Sequence, residues 1–505
     1  MPDTSIEMGS EVNTEATNQR HVEGLIRRGV GWKAFSQASG QLSRIVIGVL
    51  LARLLTPADY GLAGMTLVFA AYVLVFADLG LGAALVQRQR LMKGDRSTAF
   101  WTSVASGALF TVLGVALAWP ASKFFSEPDL MPLFAVMSTT FLITSLGATH
   151  KALLERSLAF RSLEIRTIAA TILGGIIGIV FALVGFGAWA IVAQYLTWAL
   201  VSTVLVWVAE RWRPQAQFSR ASLHRLLGFG GSVLGNRFVY VTGDVATNAL
   251  IGRFVGASGL GVYTVANNLV LTPLSRLSIP VAEVFFPGFS RMQDDRERIA
   301  SIWLQSLPYL AGVSLPALVG LIVVAPDFVV TVLGEQWLPA VPVIQILTWV
   351  GIIRSLHAWN SSILLAIDRA KTLLYLSIGS LVVTLFGVLV GVGVGGVVAV
   401  AAGVAVAQSG FSILYLVVVT RELGITVRSV LRVLVRPTVA ACAMGVVVWI
   451  GREALGSADA GSAAKLLFSV AIGVLSYVLS IRIFCPAISH RVAEVARARL
   501  AGRID

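Results

Sequence analysis

The chain has 505 residues, of which 56% are hydrophobic and only 13% are charged, and its mean hydropathy is +0.83. Soluble globular proteins carry about 25% charged residues, so this composition excludes a water-soluble protein and predicts an all-α integral membrane protein. Two cysteines in apolar segments and five scattered histidines show no metal-ligand spacing. We therefore predict neither a metal site nor a bound cofactor.

The hydropathy pattern predicts fourteen transmembrane helices. Residues 1–30 are mostly polar, lack the apolar core of a signal peptide, and are predicted to form a cytoplasmic tail. A helix needs about 20 mostly apolar residues to cross a bilayer. The segments that meet this requirement are 31–55, 60–85, 97–119, 130–150, 163–184, 187–209, 226–252, 259–289, 299–324, 339–366, 372–391, 395–419, 430–450 and 463–484. The eighth carries Pro273, Pro280 and Pro287 on one face, which predicts a bent helix.

The distribution of basic residues predicts the orientation. Thirty of the 39 lysines and arginines fall in the N-terminal tail, in the loops after even-numbered spans and in the C-terminal tail. The opposite loops hold only Arg53, Lys123, Arg253, Arg452 and Lys465. The positive-inside rule therefore places both termini in the cytoplasm. The net charge of +13 is a topology signal rather than a nucleic-acid footprint, and short external loops leave no domain in which an enzyme site would be housed.

Several charges remain inside the predicted spans. Four are arginines and two are carboxylates: Arg44, Arg237, Arg276, Arg354, Asp244 and Glu283. A central charge costs about 2.5–3.5 kcal/mol on insertion scales, so these groups are expected to face one another or water. The alternative is a set of structural ion pairs that lock helices together. The surplus of two cations favours instead a wet cavity for a phosphorylated anion, which arginine binds through its bidentate fork.

Polar residues at helical spacing accompany these charges. On each span they form a polar stripe along one helix face, which predicts that these faces line a common interior cavity. The candidates for cavity or gating roles are Gln37, Gln41, Tyr240, Asp244, Asn248, Asn268, Glu283 and His357. Asp78 lies nearer the cytoplasmic end of span 2 and is a candidate for a cytoplasmic gate.

An internal repeat relates the two halves of the chain. The stretch "LLARLLTPADYGL" at 50–62 aligns without a gap with "LIGRFVGASGLGV" at 250–262, and Leu50/Leu250, Arg53/Arg253 and Gly61/Gly261 are identical. Both stretches end one span and begin the next, which predicts parallel repeats related by an axis along the membrane normal.

Four motifs resemble a known family. "LARLLTPADYGL" (51–62), "FADLGLGAALVQR" (76–88), "VFFPGFSRMQDD" (284–295) and "GEQWLPAVPVIQIL" (334–347) look like the polysaccharide transporter family. This is the Wzx-type branch of the multidrug/oligosaccharidyl-lipid/polysaccharide flippase superfamily, and the likeness is greatest to exporters of colanic-acid and teichuronic-acid type. The resemblance runs from about residue 28 to residue 485.

The resemblance implies an architecture of two six-helix lobes in a V around a central cleft. The lobes would comprise residues 31–209 and 226–419, joined by a cytoplasmic linker at 210–225. Two additional helices would follow at 430–484, and residues 485–505 would form a cytoplasmic tail. Arg44, Arg237 and Arg276 lie on helices that line a cationic cleft in related flippases, and Arg354 is a plausible addition.

The function implied is a flippase that moves undecaprenyl-diphosphate-linked oligosaccharide from the inner to the outer leaflet of the cytoplasmic membrane by alternating access. Expected partners are that lipid-linked glycan, the bilayer, and a polysaccharide polymerase with its export machinery, with no nucleic acid. A coupling ion, H⁺ or Na⁺, is conceivable, and its identity is not readable from the residues. Alternatives are a lipid II-type flippase and a cation-coupled multidrug antiporter of the same fold. A membrane polymerase or ligase is disfavoured by the short external loops.

Overall fold

A computed structural model of the protein describes residues 40–76, 80–88, 91–92, 94–357, 359–456 and 461–486. Within these ranges, the side chains at 69–70, 72–76, 227–240, 272–287 and 456 are left out of the description. The predicted tails at 1–30 and 487–505 lie outside it.

Helices form all the regular secondary structure in the described ranges. Residues 40–54 form α1. The next helices are α2 (Pro57–Phe76), α3 (Leu81–Gln87), α4 (Asp95–Phe125), α5 (Leu130–Arg156), α6 (Phe160–Leu183), α7 (Trp189–Ala209), α8 (Arg220–Phe254) and α9 (Gly256–Ser290). They are followed by α10 (Arg296–Phe328), a π-helical turn (Val329–Leu333), a 3₁₀ turn (Glu335–Trp337), α11 (Ala340–Leu356), α12 (Asn360–Ala366), α13 (Ala370–Val394), α14 (Gly396–Glu422), α15 (Val427–Gly456) and α16 (Ser462–Phe484).

These helices confirm a multi-pass membrane protein. Ten spans within the described residues are long and apolar enough to cross a bilayer: α4 to α7, α10 with its π-helical turn, α11 with α12, and α13 to α16. The other four predicted spans fall on α1, α2 with α3, α8 and α9; residues next to α1 and between α2 and α3 lie outside the described set, and part of the side chains of α2, α8 and α9 do. The bend predicted at Pro273, Pro280 and Pro287 lies among side chains outside the description and stays a prediction.

Two predicted spans each contain an interruption of the helix. Span 60–85 divides into α2 and α3, and the residue before α3, Gly80, has φ +70°. Glycine adopts this left-handed conformation without a steric penalty, but a helix cannot continue through it. Span 339–366 divides at His357, the residue after α11. There the Asn360 side chain hydrogen-bonds the histidine ring, in addition to the backbone bonds of the turn.

The described residues fall into two compact units. Unit 1 lies within Met1–Leu55 and Met65–Val245, and unit 2 within Thr56–Gly64 and Ala246–Asp505. In unit 1, neighbouring helices approach closely and share hydrogen bonds. The Thr203 hydroxyl donates to the Ile143 carbonyl at 2.8 Å, and the Trp207 indole donates to the Leu146 carbonyl at 2.8 Å. Such bonds satisfy polar groups where lipid offers no partner.

An aromatic cluster in unit 1 holds the start of the segment between α7 and α8. His150 is fully buried, stacks on Trp207 with ring centroids 4.2 Å apart, and donates through Nε2 to the Trp212 carbonyl at 3.2 Å. Phe100 packs edge-on against the same rings, and the Arg213 guanidinium lies 5.5 Å from the Trp207 ring centroid. The contacts bind this segment to α5 and α7.

A buried ion pair fixes the start of α4. Asp95 is fully buried, accepts from Arg225 at 3.2 Å and also accepts from the Met92 backbone N–H at 2.9 Å. Arg225 in turn accepts, through its carbonyl, a hydrogen bond from Arg88 at 3.0 Å. Arg156 donates to the carbonyls of Leu85 and Arg88 at the end of α3. The last carbonyls of this short helix are therefore capped by arginine.

In unit 2, the last two helices pack on α10. The Asp327 carboxylate, almost fully buried, forms an ion pair with Arg452 of α15, and the Tyr477 hydroxyl of α16 donates to the Gly312 carbonyl. A second core lies around the fully buried Trp303 of α10 and includes α12, α13 and α14 residues. Both ends of α10 are thus tied to neighbouring helices.

A reciprocal glycine contact joins the starts of α2 and α9 within unit 2. A Cβ placed on Gly61 would overlap the carbonyl oxygen of Ala257, and a Cβ placed on Gly261 would overlap the carbonyl oxygen of Pro57. Residues 57 and 61 are equivalent to residues 257 and 261 in the internal repeat. Pro57 contacts Gly261 and Gly61 contacts Ala257, which is the exchange of partners that a local twofold axis produces. The glycines allow the two backbones to approach closely.

Candidate functional site

Arg44 lies on α1 with its guanidinium directed back along its own helix. A Cβ on Gly40 would lie 3.7 Å from Nη2 and 3.8 Å from Nη1 of Arg44, and Nη2 is 3.4 Å from Oε1 of Gln41. Side chains on a helix lean toward its N-terminus, and a Cβ at Gly40 would be in ordinary van der Waals contact with the planar group. The structure therefore brings Gln41 and Arg44 together, as the stripe on span 1 predicts.

Arg354 lies near the end of α11 and reaches α14. Its Nε donates to Oε1 of Gln408 at 2.9 Å, and the side chain remains exposed. One and a half turns earlier, the Trp349 indole donates to the Ser409 hydroxyl at 3.1 Å. Because only Nε is used by Gln408, the two terminal nitrogens of the guanidinium form a fork that points away from that bond.

His357 lies at the interruption between α11 and α12. Asn360 Nδ2 donates to His357 Nδ1 at 2.8 Å, and the Tyr415 ring of α14 lies edge-on at 6.0 Å. Asn360 is fully buried, and its Oδ1 has no hydrogen-bond donor among the described residues. Non-helical backbone at membrane depth is tolerated only where protein or a wet cavity surrounds it.

The other predicted site residues are placed as follows. Asp244 on α8 is exposed, Asn248 on α8 is half-buried, and Asn268 on α9 is exposed. Arg44 and Asp244 belong to unit 1, whereas Asn248, Asn268, Arg354 and His357 belong to unit 2. The side chains of Gln37, Asp78, Arg237, Tyr240, Arg276 and Glu283 lie outside the described residues, so their roles stay predictions.

Two residues of this region were not predicted. Gln408 is the strongly polar residue in the otherwise apolar stretch "AAGVAVAQSGF". A polar side chain inside a span costs free energy, so the sequence alone could have indicated this residue. Asn360 is followed by two serines and carries no charge, so the sequence does not single it out. Its burial and its bond to His357 show the structural reason for an asparagine there.

The chemistry available to these residues is hydrogen bonding and positive charge. Within the described ranges, no three His, Cys, Asp or Glu side chains converge in a way that would hold a metal ion. Arg44 and Arg354 offer planar forks of N–H donors, which match the oxygens of a phosphate or diphosphate.

The protein is a multi-pass helical membrane protein with arginines on its apolar helices. Solved structures of membrane transporters share its fold. The solved structure of the lipid II flippase MurJ, in its inward closed conformation, matches with a TM-score of 0.71 at 14% identity, covering 91% of this chain and 99% of that chain. An inward-facing multidrug transporter of the MATE family in the MOP superfamily matches with a TM-score of 0.60 at 16% identity, covering 76% of this chain and 94% of the other.

The chain belongs to the polysaccharide biosynthesis protein family, whose model matches residues 50–342. The teichuronic acid biosynthesis protein TuaB of Bacillus subtilis is 30% identical over 359 residues, 70% of this chain and 74% of the relative. The succinoglycan biosynthesis transport protein ExoT of Rhizobium meliloti is 26% identical over 94% of this chain and 96% of its own length. The lipopolysaccharide biosynthesis protein WzxC of Escherichia coli is 28% identical over 68% and 70%, respectively. These matches confirm the family to which the sequence motifs pointed.

Proposed function

We propose that this protein is a flippase, not an enzyme, that moves polyprenyl-diphosphate-linked oligosaccharide from the inner to the outer leaflet of the cytoplasmic membrane. The observation that carries the proposal is the pair of arginine forks, Arg44 and Arg354, on spans of a chain from a polysaccharide biosynthesis family. The diphosphate would be bound by arginine, and the polyprenyl tail would stay in lipid.

The finer architecture belongs to the same proposal. Fourteen spans, arranged as two six-helix lobes with two C-terminal helices and both termini in the cytoplasm, agree with the basic-residue pattern and with a MurJ-like fold. Alternating access of the lobes would expose Arg44 and Arg354 to each side in turn. Arg237 and Arg276 would complete the head-group site, and a polymerase would receive the flipped glycan. We propose no cofactor, and a coupling ion, if one is used, would be H⁺ or Na⁺.

The test is export in cells that lack their own flippase for the same glycan. Arg44→Ala and Arg354→Ala should each lower surface glycan by roughly tenfold or more and accumulate lipid-linked precursor, because a charge-assisted bond contributes about 1.5–3 kcal/mol. Arg53→Ala, an exposed arginine near the end of the same helix as Arg44, is the matched control and should export normally. Normal export by both test variants at equal membrane levels would contradict the head-group assignment.

A lipid II flippase is the second candidate, because the MurJ-like fold covers 91% of the chain. Rescue of growth after depletion of a host's lipid II flippase would favour it, whereas glycan export without such rescue would favour the first proposal. A cation-coupled drug antiporter, the third candidate, would confer drug resistance that survives Arg44→Ala.

A further inference from the structure

Four arginines form a ladder at one end of the last two helices. Arg428, Arg432 and Arg436 recur at four-residue steps along the first turns of α15, and Arg482 lies in the last turn of α16. All four are exposed. α15 packs along α16, and the two helices run in opposite directions, so the start of α15 lies near the end of α16. We call these four residues the arginine ladder.

The arginine ladder has no acidic counterpart. In the described part of the chain, none of its guanidinium groups has a carboxylate within 4.0 Å. The nearest preceding acidic residue, Glu422, is already bound by Arg296 and Arg369. Cations are also unfavourable at the N-terminus of a helix, because the helix dipole is positive there. The positive-inside rule accounts for basic residues at this end of α15, but no described carboxylate neutralises them, and a bound anion would.

The depth of the ladder matches a lipid head group. At 1.5 Å per residue, Arg436 lies about 24 Å and Arg428 about 36 Å along α15 from Arg452, which pairs with Asp327 toward the opposite end. The hydrocarbon core is about 30 Å thick. This thickness falls between the two distances, which agrees with Arg452 near one boundary of the core and the ladder near the other, where an unpaired charge at Arg436 would be costly.

An apolar stripe runs beside the ladder. Leu431, Val435 and Val439 of α15 repeat at the same four-residue step and are 54%, 55% and 42% exposed. Each of the first two precedes an arginine of the ladder by one residue, so the apolar stripe lies next to the basic one. This surface offers phosphate donors and, directly alongside, a wall for acyl chains.

We propose that the arginine ladder binds an anionic phospholipid of the phosphatidylglycerol class in the leaflet at this end of α15. The phosphodiester would accept hydrogen bonds from Arg432 and Arg436, and the acyl chains would lie along the stripe at 431, 435 and 439. The lipid would neutralise the start of α15 and hold the ends of α15 and α16 together.

The experiment measures binding of dioleoylphosphatidylglycerol to the full chain, purified in an uncharged detergent, by native mass spectrometry. Arg432→Ala/Arg436→Ala should weaken the apparent affinity by roughly 30-fold, from the contribution of each arginine near an anionic surface. Dioleoylphosphatidylcholine should bind weakly to both proteins. The matched control, Arg298→Ala/Arg421→Ala, removes two other exposed arginines at the ends of α10 and α14 and should change affinity by less than about threefold.

Two outcomes would overturn the proposal. An equal loss in both double variants would show that only net charge matters. Displacement of phosphatidylglycerol from the ladder by low concentrations of undecaprenyl diphosphate would assign the ladder to the transport substrate. Export is not the readout, and neither variant alters Arg44 or Arg354, so this result is independent of the proposed function.

Discussion

The reciprocal contact of α2 and α9 predicts an unusual cost for adding one methyl group. Gly61→Ala would place a Cβ on the backbone carbonyl of Ala257. A backbone oxygen cannot move away by changing a side-chain rotamer, so the two helices would have to separate. Overpacking of this kind costs typically 1–3 kcal/mol, and the absence of side-chain relief favours the upper half of that range.

Helix propensity opposes this cost but does not cancel it. Alanine is more favourable than glycine within a helix by about 0.5–1 kcal/mol. The net destabilisation expected for Gly61→Ala is therefore about 1–2 kcal/mol, and Gly261→Ala, which meets the Pro57 carbonyl, should behave alike. Because one separation of the helices accommodates both methyl groups, the double variant should cost clearly less than the sum of the two.

The assay is the thermal unfolding midpoint of the purified protein in detergent. The matched control is Gly410→Ala in α14, where an added Cβ would meet nothing within 4 Å. Gly410→Ala should therefore gain helix propensity without a steric cost, and it should unfold at or above the wild-type temperature. Gly61→Ala should unfold below that temperature. A midpoint for Gly61→Ala equal to that of Gly410→Ala, or full additivity of the two glycine variants, would refute the reasoning.

Three further predictions concern buried polar groups. Asp95→Ala removes the buried acceptor of the Met92 backbone N–H and of Arg225, which is itself partly exposed; it should cost about 1–3 kcal/mol and lower the unfolding midpoint. His150→Ala removes the ring that holds the segment after α7, and limited trypsin digestion should cut this segment faster at Arg211, whereas Arg213 precedes Pro214 and is not a trypsin site. Arg452→Ala leaves the buried Asp327 carboxylate uncompensated; it should lower the free energy of unfolding by about 3–5 kcal/mol and therefore lower the midpoint.

An exposed ion pair supplies the control for these variants. Lys151 and Glu155 lie one turn apart at 3.5 Å, and both side chains are largely solvent-accessible. Lys151→Ala should cost less than about 0.5 kcal/mol. If Lys151→Ala lowered the midpoint as far as Asp95→Ala, burial would not be the property that decides the cost.

The sequence predicted the membrane class because hydropathy averages over many residues and tolerates small errors. It could not predict the interruption at His357, because no glycine or proline marks it, and the stretch "SLHAWNSS" carries no apolar period of its own. At the interruption the Asn360 side chain contacts the histidine ring, and backbone bonds from His357 to Arg354 and from Asn360 to His357 form the turn. Gly80 can be read from the sequence, but many other glycines of this chain lie inside helices. Only the backbone angles of the structure show which glycines, Gly80 among them, have a positive φ.

Site residues were predictable in kind but not in arrangement. Arg44 and Arg354 stood out because a cation inside an apolar span is costly, and that argument needs no coordinates. Their partners are different in character. Gln41 lies one turn from Arg44 and follows from helical spacing, whereas Gln408 lies on another helix and requires the packing of α11 on α14. Sequence spacing finds contacts within one helix and misses those between helices.

The hydroxyl side chains indicate which polar groups in the spans need a functional explanation. Thr140, Thr144, Thr348, Ser409 and Thr420 each donate to a carbonyl three or four residues earlier in their own helix. Such groups are satisfied wherever the helix lies, so their presence in a span implies nothing about a cavity.

Arginine, glutamine and asparagine are too large, or have too many donors and acceptors, to be satisfied by their own helix in this way. Arg354 therefore requires a neighbouring helix, and Asn360 Oδ1 is buried with no donor among the described residues. A buried acceptor of this kind costs about 1–3 kcal/mol if it stays unsatisfied. Asn360, rather than the predicted His357, is therefore the residue at this interruption whose substitution by alanine should lower the unfolding midpoint, because His357 Nδ1 would lose the amide donor that it has in the native protein.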